Sequence, residues 1–338
     1  MDTKLSKNDK FNRMIAIILR IFAILALALA NTGFSVDAAR RDKDDNWDGS
    51  YLMKPSVLHE KSGYKIWYDG ADIDENIQIG LATSKDGMGW KKAPQNPVLD
   101  GEPDSWDAYG EHAPFVMKDR NLYKMWYEGS DGNVRQLGYA TSRNGITWRK
   151  YSGNPILQAG PEEYDRFVAG HGSVLYEDGL YKLWYHAIGN LDAIGDLDAI
   201  IAYATSPDGI HWTKHGPVLV GAPESWDTGL WGPSVLKVNG TYWMWYSAGG
   251  PVYSISIGAA TSPDGVEWTR VGDRPVITDS EFINNFGDPH VIFVGGLFKM
   301  WIGNFSSDGA IYYAESENGV DWTTPVPTLF PGTGKKKK

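Results

Sequence analysis

The chain contains five copies of one stretch of sequence, and this repeat constrains its fold more than any other feature. In the second copy the stretch reads YKMWYEGSDGNVRQLGYATSRNGITW, residues 123–148, and the copies recur about every 58 residues. Each copy contains an aromatic pair or its equivalent, an apolar segment and a turn of the form S-x-[DN]-G-x-x-W. Such repeats build arrays in which each unit packs on its neighbours. The copies begin at Tyr64, Tyr123, Tyr181, Tyr242 and Phe298.

Each unit alternates apolar and polar residues between turn signals, which is typical of short antiparallel strands. In the second unit the predicted strands are APFVM, NLYKMWYEG, RQLGYATS and NPILQ. No segment of ten or more residues after the N-terminal region carries the apolar stripe of a helix. Five such units predict an all-β fold, a five-bladed β-propeller with four antiparallel strands per blade. The array spans residues 47–330, and its closure is expected to rest on packing of the fifth blade against the first.

The repeated aromatic and turn residues are predicted to be structural. The Asp or Asn of each turn can accept hydrogen bonds from the backbone just after it, and the Gly supplies a positive φ. The Trp of the W-Y pair recurs in every unit, so we expect it in the core. Trp47, Trp106 and Trp226 recur in a third repeat position, [SN]-W-D, before the first strand of a blade. Trp231 and Trp243 fall outside all three repeat positions and are the tryptophans that stand out as candidates for binding.

The N-terminal 38 residues have the pattern of an export signal, with a basic stretch followed by MIAIILRIFAILALALA. The apolar run is short and Arg20 interrupts it, which disfavours a permanent membrane span. Cleavage after Ala30 or after Ala38 fits the small-residue rule, and the second leaves the apolar run intact. The expected organisation is a signal peptide at 1–38, a charged lead-in at 39–46, the propeller at 47–330 and a basic tail at 331–338. The expected location is therefore secreted, periplasmic or extracellular.

The net charge argues against one class of partner, and the cysteine content excludes disulfide bonds. The formal net charge of −10 argues against a nucleic-acid partner, because phosphate binding depends on Lys and Arg. The chain has no cysteine, so its core must hold the fold without disulfides. The sequence leaves the oligomeric state open.

The repeated grammar P-S-V, Y-K-M-W-Y, I-G-Y-A-T-S and D-G-I-x-W resembles that of the five-bladed propellers of a glycoside hydrolase superfamily. That superfamily includes families 43, 32, 62, 68, 117 and 130, and the resemblance covers nearly all of the chain after the export signal. It implies catalytic carboxylates at the mouth of a central pocket: an Asp in a D-P pair, an Asp on the next blade and a Glu on the blade after. It also implies that the second strand of each blade ends at this mouth.

The residues at the five strand starts depart from that pattern. The sequences LMKPSV, EHAPFV, AGHGSV, LWGPSV and GDPHV align on the Pro or its equivalent. The residue before that position is Lys54, Ala113, His171, Gly232 or Asp288, so the first three blades lack the acids that the resemblance implies.

Two interpretations remain open. In the first, the catalytic set is rotated around the ring: Asp288 is the general base, Lys54 holds it ionised, and Glu111 or His112 donates the proton to the leaving oxygen. In the second, the pocket binds a sugar without catalysis. The separation of Asp288 and Glu111 across the pocket would distinguish the two.

The residue after W-Y changes from blade to blade while its neighbours stay constant. This variation at a fixed place predicts polar groups that face a ligand, although such groups could also satisfy loop backbones. The predicted substrate-binding residues are Asp69, Glu128, His171, His186, Trp231 and Asn304.

No cofactor is expected to be required. The resemblance to family 43 implies a calcium ion near the His of the last blade, and His290 occupies that place. The first functional hypothesis is a secreted glycosidase that cleaves a polysaccharide or oligosaccharide by general acid–base catalysis. A non-catalytic carbohydrate-binding propeller is the alternative.

Overall fold

The computed structural model describes residues 46–190, 199–223, 225–250, 253–278, 285–306 and 308–332. The predicted export signal, most of the lead-in and residues 333–338 of the tail lie outside these ranges. Within them, no helix is long and apolar enough to span a membrane. The one helical element in these ranges is a 3-10 turn at Glu163–Asp165.

The described residues form twenty strands in five groups of four consecutive strands, so the predicted all-β propeller is confirmed. Blade 1 holds β1 (Tyr51–Glu60), β2 (Gly63–Ala71), β3 (Ile77–Ser84) and β4 (Trp90–Lys92). Blade 2 holds β5 (Glu111–Asp119), β6 (Leu122–Ser130), β7 (Arg135–Ser142) and β8 (Arg149–Lys150). Blade 3 holds β9 (Val168–Glu177), β10 (Leu180–Ile188), β11 (Ala199–Ser206) and β12 (Thr213–Leu219). Blade 4 holds β13 (Gly229–Val238), β14 (Thr241–Gly250), β15 (Tyr253–Ser262) and β16 (Thr269–Arg270). Blade 5 holds β17 (Phe286–Val294), β18 (Leu297–Asn304), β19 (Ile311–Ser316) and β20 (Val326–Leu329).

Consecutive strands within each blade pair antiparallel, and the first strands of the five blades contact one another in ring order. β1 contacts β5, then β9, β13 and β17 follow, and β17 returns to β1. One parallel pair, Arg135 with Val168, also joins blade 2 to blade 3. The first strands therefore lie innermost and line the centre of the ring.

The tryptophan of each W-Y pair is buried and links its blade to the next one. Its indole N–H donates a hydrogen bond to the carbonyl of the turn glycine in the following blade, at 2.7 to 2.9 Å. The last of these bonds, from Trp301 to Gly87, joins blade 5 to blade 1. The bond therefore recurs at all five junctions and closes the ring without a shared strand. The donors are Trp67, Trp126, Trp184, Trp245 and Trp301.

The predicted turn chemistry is present. In blade 1, Asp86 Oδ1 accepts hydrogen bonds from the backbone N–H groups of Met88 and Gly89. In blades 1, 2, 4 and 5 the turn tryptophan packs edge-on against the W-Y tryptophan of the preceding blade, as Trp148 does against Trp67 at 6.1 Å between ring centroids. One repeat unit thus supplies both sides of a junction.

The fourth strand of blade 2 is shorter than the sequence predicts. In blade 2 the expected strand NPILQ is replaced by the two-residue β8 and one isolated bridge between Leu137 and Leu157. Asn154 accounts for the gap, because its side-chain amide accepts from the N–H of Tyr139 and donates to the carbonyl of the same residue. The side-chain amide of Asn154 thus replaces the backbone hydrogen bonds of a strand beside Pro155, which has no N–H.

Candidate active site

Each inner strand carries a bulge at the position that the sequence alignment singled out. The register with the second strand shifts there in all five blades. The bulged residue has a positive φ between 34° and 55° in every blade. Non-glycine residues in this region are uncommon, and strained bulges gather at functional sites because they redirect side chains. The five residues are Lys54, Ala113, His171, Gly232 and Asp288.

The residue after W-Y lies opposite the residue that precedes the bulge. Asp69 pairs with Met53, and Glu128 pairs with His112. In two blades its side chain also holds the bulge of the next blade: Asp69 Oδ1 accepts from the N–H of Ala113 at 2.8 Å, and Ser247 Oγ accepts from the N–H of Asp288 at 2.6 Å. These second-strand residues therefore have a structural role, and their remaining polar atoms are available to a ligand.

The bulge residues and the second-strand residues opposite them form a cluster at the centre of the ring. Three buried carboxyl groups in this cluster have oxygens without hydrogen-bond partners among the described residues. Both oxygens of Glu128 and of Asp288 are in this state, as is Oδ2 of Asp69. Nε2 of His186 is a fourth unpartnered group beside them. Buried polar groups normally have partners, and leaving them without any is costly. Their convergence in one place therefore indicates a site built to receive a polar ligand.

Two cations flank the carboxylates. Lys54 Nζ lies 3.8 Å from Asp69 Oδ2, and Arg135 Nη1 lies 3.8 Å from Glu128 Oε1. The side chain of Arg135 is 49% exposed, so it stands at the solvent side of the cluster. The sequence reasoning placed Lys54 beside Asp288; the structure brings it closest to Asp69, although its charge also lowers the pKa of Asp288.

Arg135 is a site residue that the sequence reasoning missed. Its position in the sequence could have identified it, because Arg135 begins the third strand of blade 2 at the end of the blade where the second strand carries Glu128.

The histidines of the site are largely shielded from solvent: His186 is buried, and the side chains of His112 and His171 are 12% exposed. His112 Nδ1 lies 3.7 Å from Asp69 Oδ2, and His171 Nδ1 lies 3.7 Å from Asp288 Oδ1. Burial lowers the pKa of His112 and of His171 well below the ordinary value, and it lowers that of His186 to about 3. Neutral imidazoles each offer one donor and one acceptor, which suits them to bind sugar hydroxyls.

Burial acts on the aspartates in the opposite direction. It raises the pKa of Asp288 to about 6, against the lowering effect of Lys54. It also raises the pKa of Asp69 well above the ordinary range, opposed by Lys54 and by the N–H of Ala113. Two carboxyl groups with perturbed pKa values in one buried cluster are what general acid–base chemistry requires.

The other predicted residues lie in different settings. Trp231 is half-buried on β13, opposite Ser247. Asn304 is buried and serves its own loop: Nδ2 donates to Asp308 Oδ1, and Oδ1 accepts from the N–H of Ser306. Glu111 is the first residue of β5, opposite Gly129, and its proposed proton-donor role stays a prediction.

His290, the predicted metal ligand, takes part in ring closure. Its Nε2 lies 3.1 Å from the carbonyl of Val57 in blade 1. At three other junctions between blades, a serine of one inner strand accepts a hydrogen bond from a backbone N–H of the next inner strand; these serines are Ser56, Ser173 and Ser234. His290 occupies the equivalent position in blade 5. No group of three or more His, Cys, Asp or Glu side chains able to hold a metal is found in the described ranges, and the calcium ion near His290 stays a prediction.

Comparison with known proteins agrees with this geometry. A family model described as the glycosyl hydrolases family 32 N-terminal domain matches residues 171–334, which contain both His171 and Asp288. An uncharacterized protein of Mycobacterium tuberculosis, MT1551, is 27% identical over 237 residues, covering 67% of this chain and 78% of that protein. A 1,2-β-oligomannan phosphorylase of Thermoanaerobacter sp. is 29% identical over 177 residues, covering 50% of this chain and 60% of that protein.

A solved structure from the GH130 family superimposes with a TM-score of 0.63 at 18% identity. It covers 83% of this chain and 88% of its own, and the family is described as mannoside phosphorylases that include glycoside hydrolases targeting β-1,2-mannosidic linkages in Candida mannan. The chain has the propeller fold of these glycoside hydrolases. The resemblance predicted from the repeats is therefore confirmed.

Proposed function

We propose that the chain is a glycosidase that hydrolyses a glycosidic bond at the axial cluster of Asp69, Glu128 and Asp288, and that it acts after export on an oligosaccharide or polysaccharide. The observation that carries this proposal is the set of unpartnered, buried carboxylate oxygens in a propeller of glycoside hydrolase type. A purely structural cluster would pair these atoms, because each unpaired buried oxygen is costly.

Asp288 is the general base in this proposal. With a pKa of about 6, it is ionised in neutral solution yet close enough to the working pH to accept a proton efficiently. One of its oxygens removes a proton from water as the water oxygen attacks the anomeric carbon. The bond from that carbon to the leaving oxygen breaks in the same step, through a transition state with oxocarbenium character.

Asp69 supplies the proton to the leaving oxygen. Its raised pKa keeps the carboxyl protonated to higher pH than an exposed aspartate, and its free Oδ2 faces the cluster. This assignment differs from the sequence hypothesis of Glu111 or His112. His112 is a neutral imidazole beside Asp69 and is better placed to orient it. Glu128 and Arg135 would hold sugar hydroxyls at the rim.

Phosphorolysis is a second candidate, favoured by the two cations at the cluster. Lys54 and Arg135 could bind an inorganic phosphate in place of water, and one of the relatives is an oligomannan phosphorylase. In that reaction phosphate oxygen attacks the anomeric carbon and the product is a sugar phosphate. No separate base is then needed, so the reaction would depend less on Asp288 than hydrolysis does.

The test is a substrate panel with and without inorganic phosphate. Aryl glycosides, arabinan, xylan, fructan, galactan and β-1,2-mannooligosaccharides are incubated with the wild type, Asp288→Asn and Asp69→Asn. Asp119→Asn is the matched control, because Asp119 is exposed and pairs with Lys124 at 3.0 Å away from the cluster. Release of free sugar that falls by about 10²–10⁴-fold in the two cluster variants supports hydrolysis.

Other results separate the alternatives. Release of a sugar phosphate, only when phosphate is present, supports phosphorolysis. Binding of a sugar without release of any product, in protein whose thermal unfolding is normal, supports the non-catalytic propeller and overturns the enzyme proposal.

A further inference from the structure

The bulge of blade 4 has no side chain, and the bulged residues of blades 3 and 5 approach each other in the gap this leaves. The bulged residue of blade 4 is Gly232, with φ of 55°. A Cβ at this position would lie 2.9 Å from Asp288 Oδ1 and 2.9 Å from His171 Cε1. No real Cβ tolerates contacts that short without a shift of its neighbours, so the absence of a side chain is what lets His171 and Asp288 meet.

The two side chains face each other across this gap. His171 Nδ1 lies 3.7 Å from Asp288 Oδ1, and both residues are themselves bulged, with φ of 34° and 52°. The backbone of Asp288 is held from the other side by Ser247 Oγ at 2.6 Å. Catalytic hydrogen bonds are often long before substrate arrives, and a movement of less than 1 Å would bring this pair to hydrogen-bonding distance.

We propose that His171 is a positioning residue for Asp288: it donates its Nδ1–H to Oδ1 and so leaves Oδ2 as the oxygen that accepts the proton of the attacking water. This inference rests on the proposed function for the role of Asp288 as base. His171 itself neither gains nor loses a proton in the step. Burial keeps the imidazole neutral, and a neutral ring that donates through Nδ1 presents its Nε2 as an acceptor.

The other charged and titratable groups that act on this pair come from five strands. Lys54 on β1 lowers the pKa of Asp288, and Glu128 on β6 raises it. His186 on β10 and Arg135 on β7 act on His171, and both lower its pKa. Asp69 on β2 interacts with Asp288 as a like charge. Since these groups remain in place when His171 is changed, a shift in the titration of Asp288 can be assigned to the lost N–H.

The direct test follows the carboxyl group of Asp288 by NMR in protein labelled with 13C at aspartate Cγ. Its resonance is assigned by its absence in Asp288→Asn. A donated hydrogen bond favours the ionised carboxylate, so its loss in His171→Ala is expected to raise the pKa of Asp288 by about one unit. His171→Asn keeps an N–H donor near the former Nδ1 and tolerates a positive φ, so it is expected to restore most of the wild-type titration.

Two glycine variants test the gap independently. Gly232→Ala should separate the pair and reproduce the His171→Ala titration. Gly240→Ala is its matched control, because Gly240 also has a positive φ, of 85°, but has open space where the Cβ would lie. An Asp288 titration that is the same in the wild type, His171→Ala and Gly232→Ala would overturn the inference.

Kinetics then separate this inference from the proposed function. On any substrate that is hydrolysed, the acid limb of kcat/KM in His171→Ala should move to higher pH by the same unit, with kcat/KM reduced about fivefold at pH 6. If no substrate is turned over, the NMR titration still decides whether His171 positions Asp288. An unmoved acid limb in an active His171→Ala variant would contradict the inference and leave the glycosidase proposal intact.

Discussion

Loss of the indole bond at the closing junction should measurably weaken the whole ring. In Trp301→Phe the bond from Nε1 to the carbonyl of Gly87, 2.9 Å long and buried, is lost. The unpaired carbonyl costs about 1–3 kcal/mol, and the smaller ring leaves a cavity at a fully buried site that adds about 1–2 kcal/mol. Because part of the cavity will close, we expect the free energy of unfolding to fall by about 2–4 kcal/mol.

Equilibrium unfolding in urea, followed by tryptophan fluorescence, measures this change. Trp126→Phe is the matched variant, because its bond to Gly209 is 2.8 Å long and joins two blades that the chain also connects covalently. Trp322→Phe controls for loss of an indole in general, since Trp322 is half-buried and bonds within its own turn at 3.1 Å. A loss of less than about 0.5 kcal/mol in Trp301→Phe would refute the view that these bonds join the blades.

Three further predictions follow from contacts outside the closing junction. Asp107→Asn should destabilise the protein by about 3–5 kcal/mol in chemical unfolding, because Asp107 is buried and pairs with Lys150 at 2.7 Å; exposed Asp119→Asn should leave the midpoint unchanged. Hydrogen bonds from Lys182 and other donors lower the pKa of Glu177 to about 2, so its stabilising effect is complete above pH 4.5 and is lost as the pH falls towards 2. The free energy of unfolding of Glu177→Gln should therefore depend less on pH between 4.5 and 2 than that of the wild type. Ser247→Ala removes the acceptor for the N–H of Asp288 and should lower kcat about tenfold while the thermal midpoint changes by only a few degrees, as a paired kinetic and calorimetric comparison would show; an unchanged kcat would remove Ser247 from the site.

The repeat predicted the architecture well because each copy carries the residues of one blade and its turn. The alignment of strand starts also singles out the five positions that are bulged in the structure. It could not supply the sign of φ, which depends on how β1 and its equivalents pair with the second strands. Nor could it show that the Trp of one repeat bonds the turn glycine of the next, since Trp67 and Gly145 are 78 residues apart.

Within the site, residue choice was predicted better than residue partners. Asp69, Glu128, His171, His186 and Asp288 were all singled out, and all lie in the cluster. Partners depend on the reach of side chains across the ring, which a linear sequence does not contain. For that reason Lys54 was assigned to Asp288 rather than to Asp69.

The settings of Arg135 and Asn304 could not be predicted from the sequence for a related reason. Arg135 enters from the third strand, at the edge of the cluster, and had no repeated counterpart to draw attention to it. Asn304 ends the second strand of blade 5, and its substrate-binding role stays a prediction; in the structure its amide bonds to Ser306 and Asp308 of the following loop.

The pH dependence of kcat/KM, measured from pH 4 to pH 8 for the wild type and Asp288→Asn on one hydrolysed glycoside, tests the central claim most directly. Asp288 must be ionised to act as base, and its folded pKa is about 6, so wild-type activity should rise through pH 6 and level off above it. The same limb should be absent from the residual activity of Asp288→Asn. Wild-type activity with no inflection near pH 6, or full activity in the variant, would contradict the assignment of catalysis to the axial cluster.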